Sequence, residues 1–263
     1  MTRMNYLDFV ATVESHLKDI IRRCYPASWD ENHITFTITD DFSTSFRNVT
    51  VDGFERPFKL VWDARKLRRP AEETLGDLAI LVHLKSWEGE SIEGVGTLEA
   101  KLRAPQKSSF DAVRKGQLKR IATRSPQSHL LLYDYSQITG FADNLEAPFI
   151  WEPFAWEPYY SRPRYPNTPY SHCATLPISM ALSVGSYNTS LYKFCIPFSV
   201  QLCARYLRGY DLEMDIEALR DVKSNIQRHG GFRYLWLIGV STGDTEPTLP
   251  SGINDDLYGP LAQ

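Results

Sequence analysis

Two acids and a lysine stand in an order that can do phosphoryl chemistry. Asp77 opens an apolar run, Gly76 to Val82, and Glu99-Ala100-Lys101 lies in a second run, Gly94 to Arg103. Side chains two apart on a strand share a face, so Glu99 and Lys101 point the same way if the second run is extended. Hydrolysis of a phosphodiester needs the phosphate charge neutralised and a water made nucleophilic near neutral pH. A divalent cation held by carboxylates does both. Mg²⁺ keeps several waters and takes one or two protein carboxylates, a demand that Asp77 and Glu99 meet; Mn²⁺ is the alternative. Lys101 would orient the attacking water or steady developing negative charge. Two acids beside it keep it protonated.

The elements around these residues must bring them together. Leu78 to Val82 is apolar without a break, as in a strand buried on both faces. In the second run Leu98, Ala100 and Leu102 alternate with Thr97, Glu99, Lys101 and Arg103, so the two runs read as an antiparallel hairpin. The spacing from Asp77 to Glu99 is generous and predicts a loop over 84–94 that bulges from the hairpin. Upstream, residues 5–23 carry an apolar stripe at helical spacing, closed by Arg22 and Arg23 with Pro26 just beyond. His33 to Thr39 alternates and predicts a strand, with a turn at Asp40-Asp41. Residues 47–51 and 58–62 read as further strand, and the basic stretch 64–70 as a solvated loop. Downstream, Ser109 is a plausible N-cap for a helix over 110–123, and 129–136 is another strand. From Lys101 to Arg124 there are eight Lys or Arg against one acid, Asp111. Phosphate backbones bind such tracks regardless of base sequence, which makes Arg103, Lys107, Arg114, Lys115, Lys119 and Arg120 candidate nucleic-acid contacts.

Asp77 followed by Glu99-Ala100-Lys101 resembles the PD-(D/E)XK nuclease superfamily, which includes restriction endonucleases, resolvases and phage-defence nucleases. The resemblance covers roughly residues 5–136, and the order of elements is similar: a helix, strands carrying the acids, a helix and a further strand. It implies a restriction-endonuclease-like core and an endonuclease dependent on Mg²⁺ or Mn²⁺. DNA is the expected substrate, with RNA left open. By the same resemblance the Ala100 carbonyl joins Asp77 and Glu99 as a metal ligand, and Gln117 stands beside the site. Glu14 sits where some members carry a helix acid. The chain departs from the pattern at Gly76, where members often have proline. A defence role, with activity governed by a partner protein or by self-association, is what the analogy suggests.

Composition sets outer limits. With 263 residues, 43% hydrophobic and 13% aromatic, the chain can bury a real core. A formal charge of −3 excludes a wholly basic coat, so any nucleic-acid surface must be local. Cys24, Cys173, Cys195 and Cys203 form no CxxC pair and read as reduced thiols. No signal-peptide core and no membrane-length apolar run is visible, so a cytoplasmic protein without membrane contact is expected. GVG at 94–96 is not followed by a helix and fails as a phosphate loop. Residues 148–169 interleave prolines with Trp and Tyr and predict an ordered, irregular crossing. Beyond it, 196–208 and 212–228 read as helices and 234–240 as a buried strand. The expectation is an α/β fold with a mixed central sheet flanked by helices. It divides into a nuclease-like region over 1–140, the crossing over 141–195 and a C-terminal extension over 196–263. The competing reading is a non-catalytic nucleic-acid- or protein-binding subunit of the same shape.

Overall fold

The computed structural model describes residues 2–52, 57–68, 75–111, 113–138, 140–141, 171–224 and 231–261. The aromatic and proline-rich crossing expected over 148–169 lies outside them. The fold is α/β: a mixed sheet flanked by helices. Its strands are β1 (Thr2–Asn5), β2 (Asn48–Asp52), β3 (Phe58–Leu67), β4 (Gly76–Lys85), β5 (Ser91–Leu102), β6 (His129–Ile138), β7 (Ser171–Pro177), β8 (Ile196–Pro197), β9 (Phe232–Thr242) and β10 (Tyr258–Pro260). Their order across the sheet is β1-β2-β3-β9-β4-β5-β6-β7-β8, with β10 paired to β3.

The central hairpin forms as its pattern predicts, with Leu78 opposite Leu98 and Lys85 opposite Ser91. The wide spacing of the acids is absorbed differently from expectation. No loop bulges over 84–94; β4 and β5 are simply long, at 10 and 12 residues. A tight turn joins them, in which the Ser86 amide bonds Glu90 O at 2.8 Å and Gly89 supplies a φ of 91°. Gly94 and Gly96 are packing glycines: a Cβ there would come within 2.8 Å of Leu212 and 2.9 Å of the Tyr206 ring.

β9 lies between β3 and β4, antiparallel to the first and parallel to the second. Residues expected to form a C-terminal extension therefore supply a central strand. Its apolar sequence, Tyr234 to Val240, suits burial on both faces.

α1 (Tyr6–Cys24) takes the predicted course, capped by the Asn5 side chain, which accepts from the Asp8 amide at 2.8 Å. Its stripe of Phe9, Val13, Leu17, Ile20 and Ile21 packs on one sheet face with Trp62 and Trp236. The predicted strand over His33 to Thr39 is instead the middle of α2 (Glu31–Ser45), and Asp40-Asp41 continue that helix rather than turning. Asp30 caps it by accepting from the His33 amide at 2.9 Å. Ile34, Ile38 and Phe42, four apart, are buried, and Thr35, Thr37 and Thr39 turn their hydroxyls back onto carbonyls four residues earlier. The seven-residue alternation is compatible with either period; burial on the sheet decides for helix.

On the other face lie α3 (Lys115–Arg124), α4 (Ile178–Val184) and α5 (Ile216–Ser224). α3 starts later than predicted. Ser109 does not cap it, because Phe110 and Asp111 donate their amides to Tyr187 O and Leu102 O. The basic stretch expected as loop over 64–70 belongs to β3 as far as Leu67. The helix expected over 196–208 begins in β8 and becomes α-helical at Phe198–Val200, π-helical at Gln201–Arg205 and 3₁₀ at Tyr206–Arg208. The four cysteines are free and buried. Among the described residues no helix is long and apolar enough to cross a membrane.

Candidate active site

The hairpin register sets Asp77 beside Glu99 at one end of the paired strands. Both face α3 and α5, because residues alternate: Leu98, Ala100 and Leu102 pack toward α1 and α2, while Thr97, Glu99 and Lys101 turn the other way. The side chains of Asp77, Glu99 and Lys101 are all buried. The Asp77 carboxylate accepts from the Ala100 amide at 2.9 Å. Lys101 Nζ donates to Glu99 Oε1 at 2.7 Å and to the Ala100 carbonyl at 2.6 Å. Gln117, on α3, donates from Nε2 to the same Glu99 oxygen at 2.6 Å. The structure thus brings together Asp77, Glu99, Ala100, Lys101 and Gln117.

A third acid, absent from the sequence-based set, completes the group. Glu31, the first residue of α2, places Oε2 3.5 Å from Lys101 Nζ. Reading His33 to Thr39 as a strand hid it; an Asp at 30 ahead of Ile34, Ile38 and Phe42 was the signal for a capped helix starting there. Glu14 does not join the site. It is buried elsewhere, where Ser199 Oγ donates to its Oε2 at 2.6 Å and its Oε1 has no partner among the described residues.

Burial, then the charge of Asp77, pushes Glu31 up to about 8. The same two causes raise Glu99 to about 7, against the pull of Lys101 and Gln117. Burial alone would lower Lys101, but Glu99, Glu31 and Asp77 outweigh it and hold its pKa above the ordinary lysine value. Three carboxylates face one ammonium, so the cluster favours additional positive charge.

That donor set, hard carboxylate and carbonyl oxygens with surplus negative charge, fits Mg²⁺ or Mn²⁺. Among the described residues no three His, Cys, Asp or Glu side chains are gathered as a ready-made metal cage. Mg²⁺ does not require one, since waters complete its shell.

The cluster floors a cleft of about 660 Å³. Arg114, just ahead of α3, and Arg120 and Arg124 within it line one side, Ala218, Asp221 and Val222 of α5 another, and Arg233 of β9 stands at the margin. Of the predicted nucleic-acid contacts, Arg114 and Arg120 line this cleft, whereas Lys115 and Lys119 are exposed on α3 outside the lining. Arg103 is committed elsewhere: its guanidinium bonds the buried Asp134 at 3.0 and 3.2 Å and lies 5.1 Å over the Tyr135 ring. Lys107 sits in the turn beyond it, giving its carbonyl to Arg103 Nε. Arg124 and Arg233 are the lining cations that the candidate set omitted.

Glu14 supports a clean stability test. Burial raises its pKa to about 7, above the unfolded value, so its contribution falls as pH rises from about 4.5 through about 7. Glu14→Gln keeps an acceptor for Ser199 and removes the buried charge. It is expected to stabilise the chain by roughly 2–3 kcal/mol at pH 8 and hardly at all near pH 4.5, read by denaturant melts at both pH values.

Compared with protein-family models, curated proteins and solved structures, the chain matches none.

Proposed function

We propose that the chain is a metal-dependent endonuclease that hydrolyses phosphodiester bonds, with DNA as its substrate and RNA as the alternative. The observation that carries this reading is one cluster: Asp77, Glu99 and Lys101, with Gln117 and Glu31, at the floor of a cleft margined by arginines. It is also the residue pattern by which the sequence resembles the PD-(D/E)XK nucleases.

Asp77, Glu99 and the Ala100 carbonyl would hold the cation, which when bound neutralises phosphate charge and acidifies water. The chain's own residues divide the remaining work. Lys101, held protonated, donates rather than accepts and steadies charge on a phosphate oxygen as water attacks phosphorus and the bridging P–O bond breaks, the departing oxygen taking a proton from solvent. Glu31, with a pKa near working pH, is matched to take the water's proton. Gln117 fixes the Glu99 carboxylate from α3. The arginines engage flanking phosphates without reading bases.

The test is incubation of plasmid, linear and single-stranded DNA, and of RNA, with Mg²⁺, Mn²⁺ or EDTA. Cutting with metal and none with EDTA is the expected result. Binding of nucleic acid without cutting under every condition would favour the non-catalytic subunit. The arginine track makes its own prediction. Arg120→Ala and Arg124→Ala are each expected to weaken DNA binding about equally for unrelated sequences and to lower the slope of log K against log salt by about one. Fluorescence anisotropy over a salt series reads both.

A further inference from the structure

The end of the β4–β5 hairpin opposite Asp77 and Glu99 carries an unpaired sheet edge. Pairing of β5 with β6 begins only at Leu98, so the first half of β5 has a strand neighbour on the β4 side alone. One contact closes the other side. The amide and carbonyl of Val95 bond the carbonyl and amide of Glu213, both at 2.9 Å. Pairing stops there, because the Asp215 carboxylate accepts from the Glu217 and Ala218 amides at 2.8 and 3.1 Å and coils the chain into α5. Backbone groups alternate in direction along a strand, so Glu93 and Ser91 aim their amides and carbonyls outward as Val95 does. These groups have no backbone partner among the described residues. An unpaired edge is a ready template for another chain. We propose that this edge takes up an extended, lysine- or arginine-rich segment of a partner protein as an added strand.

The side chains beside the edge are apolar and exposed. Ile92 is 48% exposed, Met214 38% and Ile216 71%. Ile92 stands opposite Leu84. Met214 lies over Gly94 and Gly209, 3.4 and 3.7 Å from where a Cβ would sit, and Gly209 in turn abuts Leu84. Leu84, Ile92 and Met214 therefore make one strip, on the face of β5 that Ile92 shares with Gly94. An added strand would cover it with every second side chain. In that mode of recognition main-chain bonds give affinity and the alternate side chains give specificity.

Charge decides what kind of strand fits. Residues 84–93 and 213–217 hold six acids, Glu88, Glu90, Glu93, Glu213, Asp215 and Glu217, against one cation, Lys85. Lys223 holds Glu93 at 2.6 Å, and the other five form no ion pair among the described residues. Glu88, Glu90, Asp215 and Glu217 are exposed. A second copy of the chain would set this rim against itself, and like charges face to face cost affinity. Nucleic acid and anionic lipid are repelled for the same reason. A basic segment suits both the rim and the edge.

Titration of the full chain with three synthetic peptides tests this: alternating lysine and valine, alternating glutamate and valine, and the lysine peptide with proline in place of each valine. The first is expected to bind at one site with a Kd of about 10–100 μM. It should slow hydrogen exchange of the Ser91 and Glu93 amides and weaken with salt. The other two should not bind. Ser91→Pro removes an outward amide at an exposed edge position, where proline is tolerated, and should weaken binding about tenfold. Glu88→Lys combined with Glu217→Lys, both at exposed positions, should weaken it about as much and flatten the salt dependence. Glu99→Gln should change nothing, which tells peptide on the edge from peptide caught in the carboxylate cleft. No saturable binding up to about 1 mM overturns the proposal. Equal binding of the glutamate or proline peptide, or indifference to both edge variants, overturns it as well. A dimer that Ser91→Pro dissolves would assign the edge to a second copy and overturn it too.

Discussion

Glu99→Gln is expected to lower metal-dependent cleavage by about 10³-fold or more while leaving the fold intact. Glutamine keeps the shape of the side chain and an oxygen for Lys101 and Gln117, both of which donate to Glu99 Oε1. What it removes is the charge that would hold a cation. Three further substitutions separate the roles. Lys101→Ala takes away the one ammonium that the described residues bring to the cluster and is expected to cost 10²- to 10⁴-fold, roughly the range for a positioned catalytic group. Glu31→Gln removes the proposed proton acceptor and should cost about 10²-fold, with a flatter pH–rate profile between pH 6 and 9, roughly the span around a group near 8. Gln117→Ala touches only the orientation of Glu99 and is expected to cost about 10- to 100-fold. Single-turnover cleavage at saturating Mg²⁺ measures all four. Equal loss in Glu31→Gln and Glu99→Gln would mean that Glu31 belongs to the cation's own shell, not to the proton's path.

That grading depends on a residue the sequence kept out of view, and the reason is physical. The hairpin was legible because an unbroken apolar run and a strictly alternating one leave little choice of structure, and Glu99 and Lys101 follow from it directly. α1 was legible because its stripe holds 3.6-residue spacing over five turns. Glu31 was not, because β-branched residues at 34, 35, 37, 38 and 39 mimic a strand when read over seven positions. Only the next buried residue, Phe42, and the Asp30 cap separate the two readings. Two other misses have a different origin. The insertion of β9 between β3 and β4 and the placing of α5 as a wall of the cleft are long-range pairings. Local pattern can say that Tyr234 to Val240 is a buried strand, but not which neighbours it has. Arg103 shows the converse error: charge in a basic stretch says nothing of whether a buried acid, here Asp134, already holds it.

The cluster's electrostatics give the second large effect, on stability. Glu31 and Glu99 carry pKa values near 8 and 7 in the folded chain, above those of the unfolded chain. The native state therefore binds these protons more tightly than the unfolded state does, and stability falls as pH rises from about 4.5 to about 8. Without divalent metal the loss over that window is expected to be on the order of 3 kcal/mol, or about 6–12 °C in Tm. Mg²⁺ should reverse it, most strongly at the alkaline end, because a cation bound only by the native state stabilises by RT ln(1 + [Mg²⁺]/Kd). Lys101→Met sharpens the contrast. It leaves two buried carboxylates and the half-buried Glu31 with no ammonium among them, which at pH 8 should cost a further 3 kcal/mol or so, close to that of breaking a buried pair. At pH 5 Glu31 and Glu99 are already neutral, and the same substitution should be nearly silent. Thermal melts of both proteins at pH 5 and 8, in EDTA and in Mg²⁺, contain the whole comparison. A melt that is flat with pH and indifferent to Mg²⁺ would mean that the cluster is an ordinary buried ion network with no cation to wait for. A steep, Mg²⁺-reversible decline would tie the gathering of three acids around one lysine to the binding of metal.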